Sequence, residues 1–190
     1  MLHMESPPLR VSRPLFEQLT VENPEARLER ASDGTLLVMP QTGSDVGRRN
    51  MNLSGQLWSW NEATGLGEAF DSSTGFELPD GSIRAADAAW VSLQRWQQLS
   101  RAQRITFAPL CPDFVVELRS SSERIVDLRK KMNAYRANGA RLGWLIDPDA
   151  KRLEIYRPGR DVEVLQDPET VSGDDVLPGF VLRLAPIFAP

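Results

Sequence analysis

The sequence predicts an α/β protein in which helices flank a mixed central sheet. Two apolar runs, Phe114–Leu118 and Leu142–Ile146, have the near-continuous hydrophobicity of strands that are buried on both faces. A segment with helical spacing lies between them and another, from Asp45 to Glu62, precedes them. The order of helix, strands, helix and strand predicts this fold class.

The N-terminal part divides into a leader and a hairpin. Residues 1–24 are predicted to be irregular because three prolines lie near the start, at Pro7, Pro8 and Pro14. Ser32-Asp33-Gly34 is a turn signal between Arg27–Arg30 and Thr35–Met39, which predicts a β-hairpin. We expect one domain over residues 25–190, because the length fits one core and the sequence has no internal repeat.

The remaining elements follow from periodicity and turn residues. Leu53, Leu57 and Trp60 recur at helical spacing in the first helix, which Gly65 and Gly67 should end. Ser120 and Glu123 form a capping-box pattern that predicts the start of a helix ending near residues 138–139. Residues 92–110 should form a short helix and a loop. Further strands, including a C-terminal β extension, are predicted at Glu68–Phe70, Gly75–Leu78, Arg84–Val91, Leu153–Tyr156, Val162–Leu165 and Val181–Leu184.

Composition excludes several kinds of site. The 190 residues include one cysteine, Cys111, and one histidine, His3, which is near the terminus. These counts exclude a disulfide, a cysteine-rich zinc site and a catalytic triad with histidine. A metal would have to bind to carboxylates, which favours Mg²⁺ or Mn²⁺. The apolar runs are too short to cross a bilayer and the N-terminal residues lack a signal-peptide pattern, so we expect a cytoplasmic protein without membrane contact.

Charge is distributed unevenly along the chain. The formal net charge is −4, which argues against broad, non-specific binding of nucleic acid. Residues 117–141 nevertheless carry seven cations and three anions, so this segment is basic on an acidic protein. The pattern allows a focused site for a polyanion, and a solvated helix face explains it equally well.

Two carboxylates are candidates for a shared metal ion. Asp87 and Glu117 lie in predicted strands, and the side chains of adjacent strands can meet because strands lie roughly 5 Å apart. A divalent ion between them could bind a phosphate and activate a water. Asp80 precedes Gly81 and fits a turn better. Asp113 lies four strand residues from Glu117, roughly 13 Å away, so we interpret it as a residue that begins the strand.

The cation of such a site has two candidates. Arg119 follows Glu117 by two residues, which places it on the same face of the strand. Lys131 borders the buried stripe of the following helix and can reach a cleft, whereas Lys130 points to solvent. An ordinary ion pair of Lys131 with Asp127 accounts for the spacing equally well.

The motifs of the chain closely resemble those of the Uma-two family. The resemblance covers roughly residues 25–188 and is specific in its combination of motifs. The matching segments are Asp33-Gly34, Met39-Pro40, Arg84–Val91, Pro112–Ser120, Asp127, Lys131-Met132, Tyr135, Gly139, Trp144–Pro148, Tyr156–Pro158 and Leu177–Phe180. The family consists of endonucleases of the PD-(D/E)xK superfamily, so the resemblance implies a restriction-endonuclease-like core.

The resemblance also implies roles for individual residues. Asp87 and Glu117 would be the two acidic motif residues, and the lysine would come from the helix, as Lys131. Metal ligands would be Asp87, Glu117 and the backbone carbonyl of Leu118, with Glu29 as a candidate accessory ligand. Arg119 occupies the usual position of the lysine and could contact phosphate. The chain departs from the family pattern at Ala86, Ser121 and Glu123, none of which removes a ligand.

Two functional hypotheses remain open at this stage. The first is a Mg²⁺- or Mn²⁺-dependent endonuclease that hydrolyses phosphodiester bonds, with DNA as the expected partner. The second is a nuclease fold without cleavage activity that binds nucleic acid or protein, since fold alone does not establish function. We also expect a homodimer, with Trp58, Trp60 and the 153–165 hairpin as candidate contacts.

Overall fold

The computed structural model describes residues 8–39, 43–173 and 176–189 and shows helices on both faces of a mixed sheet. This confirms the predicted fold class. The helices are α1 (Arg13–Glu22), α2 (Ser44–Thr64), α3 (Leu93–Gln97), α4 (Arg101–Arg104), α5 (Ile125–Ala137) and α6 (Ala185–Phe188). The strands are β1 (Arg27–Arg30), β2 (Leu36–Met39), β3 (Gly67–Asp71), β4 (Phe76–Glu77), β5 (Ile83–Arg84), β6 (Ala88–Ser92), β7 (Phe114–Leu118), β8 (Leu142–Asp147), β9 (Arg152–Tyr156), β10 (Glu163–Gln166), β11 (Thr170–Ser172) and β12 (Val181–Arg183).

The main sheet has six strands in the order β10-β9-β8-β7-β6-β3. β7 and β8 are parallel and are connected through α5, whereas the other pairs are antiparallel. All residues of β7 and β8 are buried, as their continuous apolar sequences predict. This places the strand that carries Glu117 at the centre of the protein.

Each face of the main sheet packs against a different helix. On one face, Leu53 and Leu57 of α2 belong to a core that includes Trp90 and Trp144. On the other face, Leu128 and Met132 of α5 pack with residues such as Val115 and Leu145. Because side chains alternate along a strand, Glu117 projects to the same face as Val115, toward α5.

A second sheet of four strands, in the order β2-β1-β5-β4, lies beside the site. The predicted hairpin is confirmed as β1 and β2, joined through a turn in which Gly34 has φ +87°. The strand predicted at Arg84–Val91 is wrong in one respect, because it is two strands in different sheets. Residues 85–87 connect β5 to β6 and are outside both ladders.

The leader predicted at residues 1–24 also needs correction. Residues 1–7 lie outside the described part of the chain, but residues 13–22 form α1. Ser12 caps this helix by accepting a hydrogen bond from the Leu15 N–H, and Pro14 occupies its first turn, where a missing N–H costs nothing. Phe16 is completely buried and packs against Phe107, so α1 belongs to the folded unit.

The start of one predicted helix differs from the structure, and two further elements have no counterpart in the prediction. The Ser120–Glu123 bonds form as predicted, but they close a turn ahead of α5, which begins at Ile125. Strand β11 and helix α6 were not predicted. Strand β11 pairs with β12, the predicted C-terminal extension. No helix in the described ranges is long and apolar enough to cross a membrane.

Candidate metal centre and nucleic-acid cavity

Asp87 and Glu117 come together at the edge between the two sheets. β6 and β7 are antiparallel with Ala88 opposite Val116, so the next residues in register are Asp87 and Glu117. The N–H of Leu118 donates to Oδ2 of Asp87 at 2.8 Å, which fixes that carboxylate beside β7. The two carboxylates therefore lie on neighbouring chain segments and on one face of the sheet.

Lys131 reaches this pair from α5. Its Nζ lies 2.9 Å from Oε1 of Glu117 and donates to Oε2 at 3.1 Å. The same ammonium lies 2.7 Å from Oε1 of Glu29 and donates to the Ala85 carbonyl at 2.8 Å. Within the described residues, Lys131 does not form the alternative ion pair with Asp127. Asp127 pairs instead with Lys130, whose side chain is 74% exposed.

Glu29 is held by two cations. Arg84 donates to its Oε2 at 3.0 Å, and the Ala85 N–H donates to its Oε1 at 3.3 Å. Both polar groups of the Ala85 backbone thus bind site side chains, which explains why the predicted strand is interrupted there. Burial alone would raise the pKa of Glu29, but Lys131 and Arg84 outweigh this effect and lower it.

The carboxyl groups of the central pair have the opposite electrostatics. Burial, with the nearby charges of Asp87 and Glu29, raises the pKa of Glu117 to about 8 despite the attraction of Lys131. Burial also raises the pKa of Asp87, although the Leu118 N–H opposes it. For Lys131, burial acts to lower the pKa, but the carboxylates of Glu117 and Glu29 dominate and raise it. Lys131 is therefore a cation at neutral pH, and Glu117 binds a proton more readily than an ordinary glutamate does.

An open cavity of about 390 Å³ gives access to these groups. Its walls come from the β1–β2 hairpin, the first turn of α2, the end of β7 and the serine-rich turn before α5. Five carboxylates and two cations are among the described residues that line it. The lining residues are Arg27, Glu29, Met39, Gly43, Ser44, Asp45, Val46, Ala85, Asp87, Glu117, Leu118, Ser120, Ser121, Ser122, Glu123 and Lys131.

The donor set fits a hard divalent cation. Oε1 of Glu117 is buried and accepts no well-aligned hydrogen bond within the described residues; the Lys131 ammonium lies 2.9 Å from it but also serves Glu29 and the Ala85 carbonyl. A buried carboxylate that shares its cation in this way is stabilised by a further cation. No group of three or more His, Cys, Asp or Glu side chains in these ranges has a metal-binding arrangement. Two carboxylates with a carbonyl and waters nevertheless suit Mg²⁺, which usually keeps several waters.

Arg119 does not line the cavity. Its guanidinium pairs with Asp147 at 3.1 Å and donates to the Glu123 carbonyl at 3.2 Å. Arg119 lies one residue beyond β7, where its N–H still donates to the Ile146 carbonyl of β8, and its guanidinium pairs with Asp147, the next position in register, so it is not directed into the cavity. Its partner comes from the end of β8, a long-range contact that strand spacing could not predict.

Two aspartates excluded from the metal site are structural, as predicted. Asp80 accepts bonds from the N–H and hydroxyl of Ser82 within a turn. Asp113 is buried ahead of β7, where it accepts from the Ser92 N–H and pairs with Arg95 at 3.0 Å.

Comparisons with known proteins identify the family and support the fold. The family model Uma2, described as "Putative restriction endonuclease", matches residues 13–185. The chain belongs to the Uma2 family. This match confirms the Uma-two resemblance and extends it to include α1. No curated protein matches the chain.

A solved structure of another protein supports the fold. It is described as "Crystal structure of a putative nuclease belonging to DUF820 from Anabaena variabilis ATCC 29413". The TM-score is 0.75, with 20% sequence identity, over 86% of this chain and 90% of that one. At this identity the likeness shows the fold alone, so roles for residues must come from the site itself.

Proposed function

We propose that this Uma2 protein is a divalent-metal-dependent endonuclease that hydrolyses phosphodiester bonds in DNA. The observation that carries the proposal is the pairing of the half-buried Asp87 with the buried Glu117, which shares its one close cation, the Lys131 ammonium, with Glu29, in an open cavity. Membership in a family of restriction-endonuclease-like proteins supports the same reaction class. The basic segment that begins at Glu117 supports an anionic substrate.

Each residue of the site has a role that follows from its contacts. Asp87, Glu117 and the Leu118 carbonyl would hold Mg²⁺ or Mn²⁺. The bound ion supplies Lewis-acid activation of a water and of the phosphate. The Leu118 N–H keeps Asp87 oriented, and Lys131 keeps Glu117 oriented. Because its pKa is raised, Lys131 acts as a positive charge and does not remove a proton from water.

Glu29 contributes differently from the accessory ligand that the resemblance implies. It already binds Lys131 and Arg84, so we propose that it positions the lysine and leaves metal ligation to Asp87 and Glu117. A carboxylate that is paired with two cations gains less from a further cation than one that has only a shared cation.

A cleavage assay combined with calorimetry tests the proposal. We expect supercoiled plasmid to be nicked with Mg²⁺ or Mn²⁺ and left intact with excess chelator. Glu117→Ala should abolish both cleavage and the binding of Mn²⁺ measured by titration calorimetry, while circular dichroism shows an intact fold. If the wild-type protein binds DNA but cuts none with either metal, the hypothesis of a non-catalytic binding module replaces this one.

The homodimer remains a prediction. Trp58 is 58% exposed on α2 and remains a candidate contact, as does the hairpin formed by β9 and β10. Trp60 was expected to be exposed but is partly buried. Its indole N–H donates to the Pro178 carbonyl, and its ring packs against Trp90. Light scattering at micromolar concentration should give twice the mass of the chain, and Trp58→Glu should lower it. A wild-type monomer would contradict the prediction.

A further inference from the structure

We infer that Arg27, on strand β1, contacts a phosphate of the nucleic acid at the mouth of the cavity. The inference rests on the proposed nuclease function and deepens it by assigning a substrate-binding residue. Neither the metal site nor the lysine assignment identifies this residue.

The first argument is that Lys131 has its donors engaged. An ammonium has three N–H groups. Those of Lys131 face Glu29 at 2.7 Å, Glu117 at 2.9–3.1 Å and the Ala85 carbonyl at 2.8 Å. Its side chain is only 11% exposed. Lys131 can stabilise charge within the site, but it is poorly placed to bind an incoming phosphate from solvent.

The second argument concerns which other cation can meet the substrate. Arg119 is bound to Asp147 and does not line the cavity. Among the lining residues of the described ranges, the cations are Arg27 and Lys131. Arg27 is the more accessible of the two, with 34% of its side chain exposed. A guanidinium is also the cation best suited to phosphate, because its planar fork matches two oxygens.

The third argument is that the position of Arg27 is defined. Its Nη2 donates to the Ser72 carbonyl at 3.0 Å and lies 3.9 Å from Oδ1 of Asp87. A phosphate bound at this guanidinium would therefore lie next to the carboxylate pair. The contact with Ser72, in the loop after β3, holds the side chain at the rim and reduces the entropy lost on binding.

Charge balance shows why such a residue is needed. Five carboxylates line the cavity against two cations, so a polyanion meets repulsion at its entrance. A metal ion between Asp87 and Glu117 offsets part of this charge deep in the site. Arg27 offsets it at the rim, where the phosphate arrives first.

A matched pair of variants tests the inference. Arg27→Gln removes the proposed contact, and Arg10→Gln removes an arginine near the same hairpin that is 66% exposed and pairs with Asp33. Binding of a fluorescent DNA duplex is measured by anisotropy in Ca²⁺, which takes oxygen ligands like Mg²⁺. A gel run afterwards checks that the duplex is intact.

The expected result is specific to Arg27. Arg27→Gln should weaken DNA binding about tenfold and reduce the slope of log affinity against log salt by about 0.9, the value for one phosphate contact. Arg10→Gln should stay within about twofold of wild type, and both variants should keep the wild-type melting temperature. Arg27→Lys should restore only part of the affinity, because it keeps the charge and loses the fork.

Binding of Mn²⁺ separates this role from a structural one. Arg27 is a cation near Asp87, so Arg27→Gln should leave Mn²⁺ affinity, measured by calorimetry, equal or tighter. Equal DNA affinities for the two Gln variants would overturn the inference, as would a loss of Mn²⁺ binding in Arg27→Gln. If wild type binds no DNA in Ca²⁺ or Mg²⁺, the proposed function itself fails and this inference fails with it.

Discussion

Two buried carboxylates of the main sheet, Glu117 of β7 and Glu154 of β9, lie on either side of β8 and have opposite electrostatic surroundings. Both oxygens of Glu154 accept hydrogen bonds, from Arg129 at 2.6–3.1 Å and from the Tyr156 hydroxyl at 2.8 Å, and Arg152 lies 3.2 Å away. Burial would raise the pKa of Glu154, but these partners outweigh it and lower it.

Within the described residues, Lys131 is the close cation of Glu117, and Glu29 shares it. One oxygen of Glu117 has this shared ammonium beside it but no well-aligned hydrogen bond, and the pKa is raised to about 8. One cation of each carboxylate comes from the same helix, since Arg129 and Lys131 are two residues apart on α5. Glu154 therefore has its full set of partners in the folded protein, whereas the carboxylates around Glu117 lack one cation.

The largest expected effect concerns the cation of the incomplete cluster. Lys131→Ala should lower the rate of Mn²⁺-dependent cleavage by about 10²–10³, because it removes a buried charge beside the reacting phosphate. Lys130→Ala is the matched control, since its ammonium is exposed and pairs with Asp127 on the same helix face. Lys130→Ala should mainly weaken DNA binding, and the size of this loss should depend on the salt concentration. Equal cleavage rates for the two variants would contradict the assignment.

Exchanging the two carboxylates for amides should separate metal binding from stability. Glu117→Gln should weaken Mn²⁺ binding by at least about 100-fold without lowering the free energy of unfolding. Glu154→Gln should leave Mn²⁺ binding unchanged and lower the free energy of unfolding by about 2 kcal/mol, because Arg129 and Arg152 lose their partner. Calorimetry and denaturant unfolding measure the two quantities. The same pattern in both variants would show that the clusters do not differ in role.

The pH dependence of metal binding follows from the raised pKa of Glu117. A carboxyl group must lose its proton to bind a metal, so protons compete with Mn²⁺ below the pKa. Apparent Mn²⁺ affinity should therefore rise up to about tenfold per pH unit toward pH 8 and level off above it. Calorimetry at several pH values in buffers of different ionisation enthalpy also counts the released proton. A flat profile between pH 6 and 8 would show that Glu117 is already ionised.

The smallest expected effect concerns Arg119, which pairs with Asp147 outside the cavity. Arg119→Ala should change the cleavage rate by less than about threefold, because its guanidinium lies outside the cavity. It should lower the melting temperature slightly, since Asp147 is buried and loses its arginine. A loss of cleavage comparable to that of Lys131→Ala would return the cation role to the strand.

The sequence by itself determined the elements whose signals are local. Strands β7 and β8 were evident from continuous apolar runs, and α2 from its 3.6-residue periodicity. The hairpin of β1 and β2 was evident from its turn. Asp87 and Glu117 were found as candidates because strand order alone brings adjacent carboxylates together. The side of α5 on which Lys131 lies also followed from helical geometry, which relates residues within one element.

Tertiary structure decided which partner each charged side chain has. The helix α1 is not predicted because the prolines in and before its first turn suggest an irregular segment, whereas burial of Phe16 against Phe107 stabilises it. Glu29 pairs with Lys131, and Arg119 pairs with Asp147, although the two residues of each pair are far apart in sequence. Ion pairs of this kind depend on distances between separate elements and on burial, which set the Coulomb energy and the desolvation cost. Local sequence patterns encode neither quantity, so the charge deficit at Glu117 becomes visible only when the chain is folded.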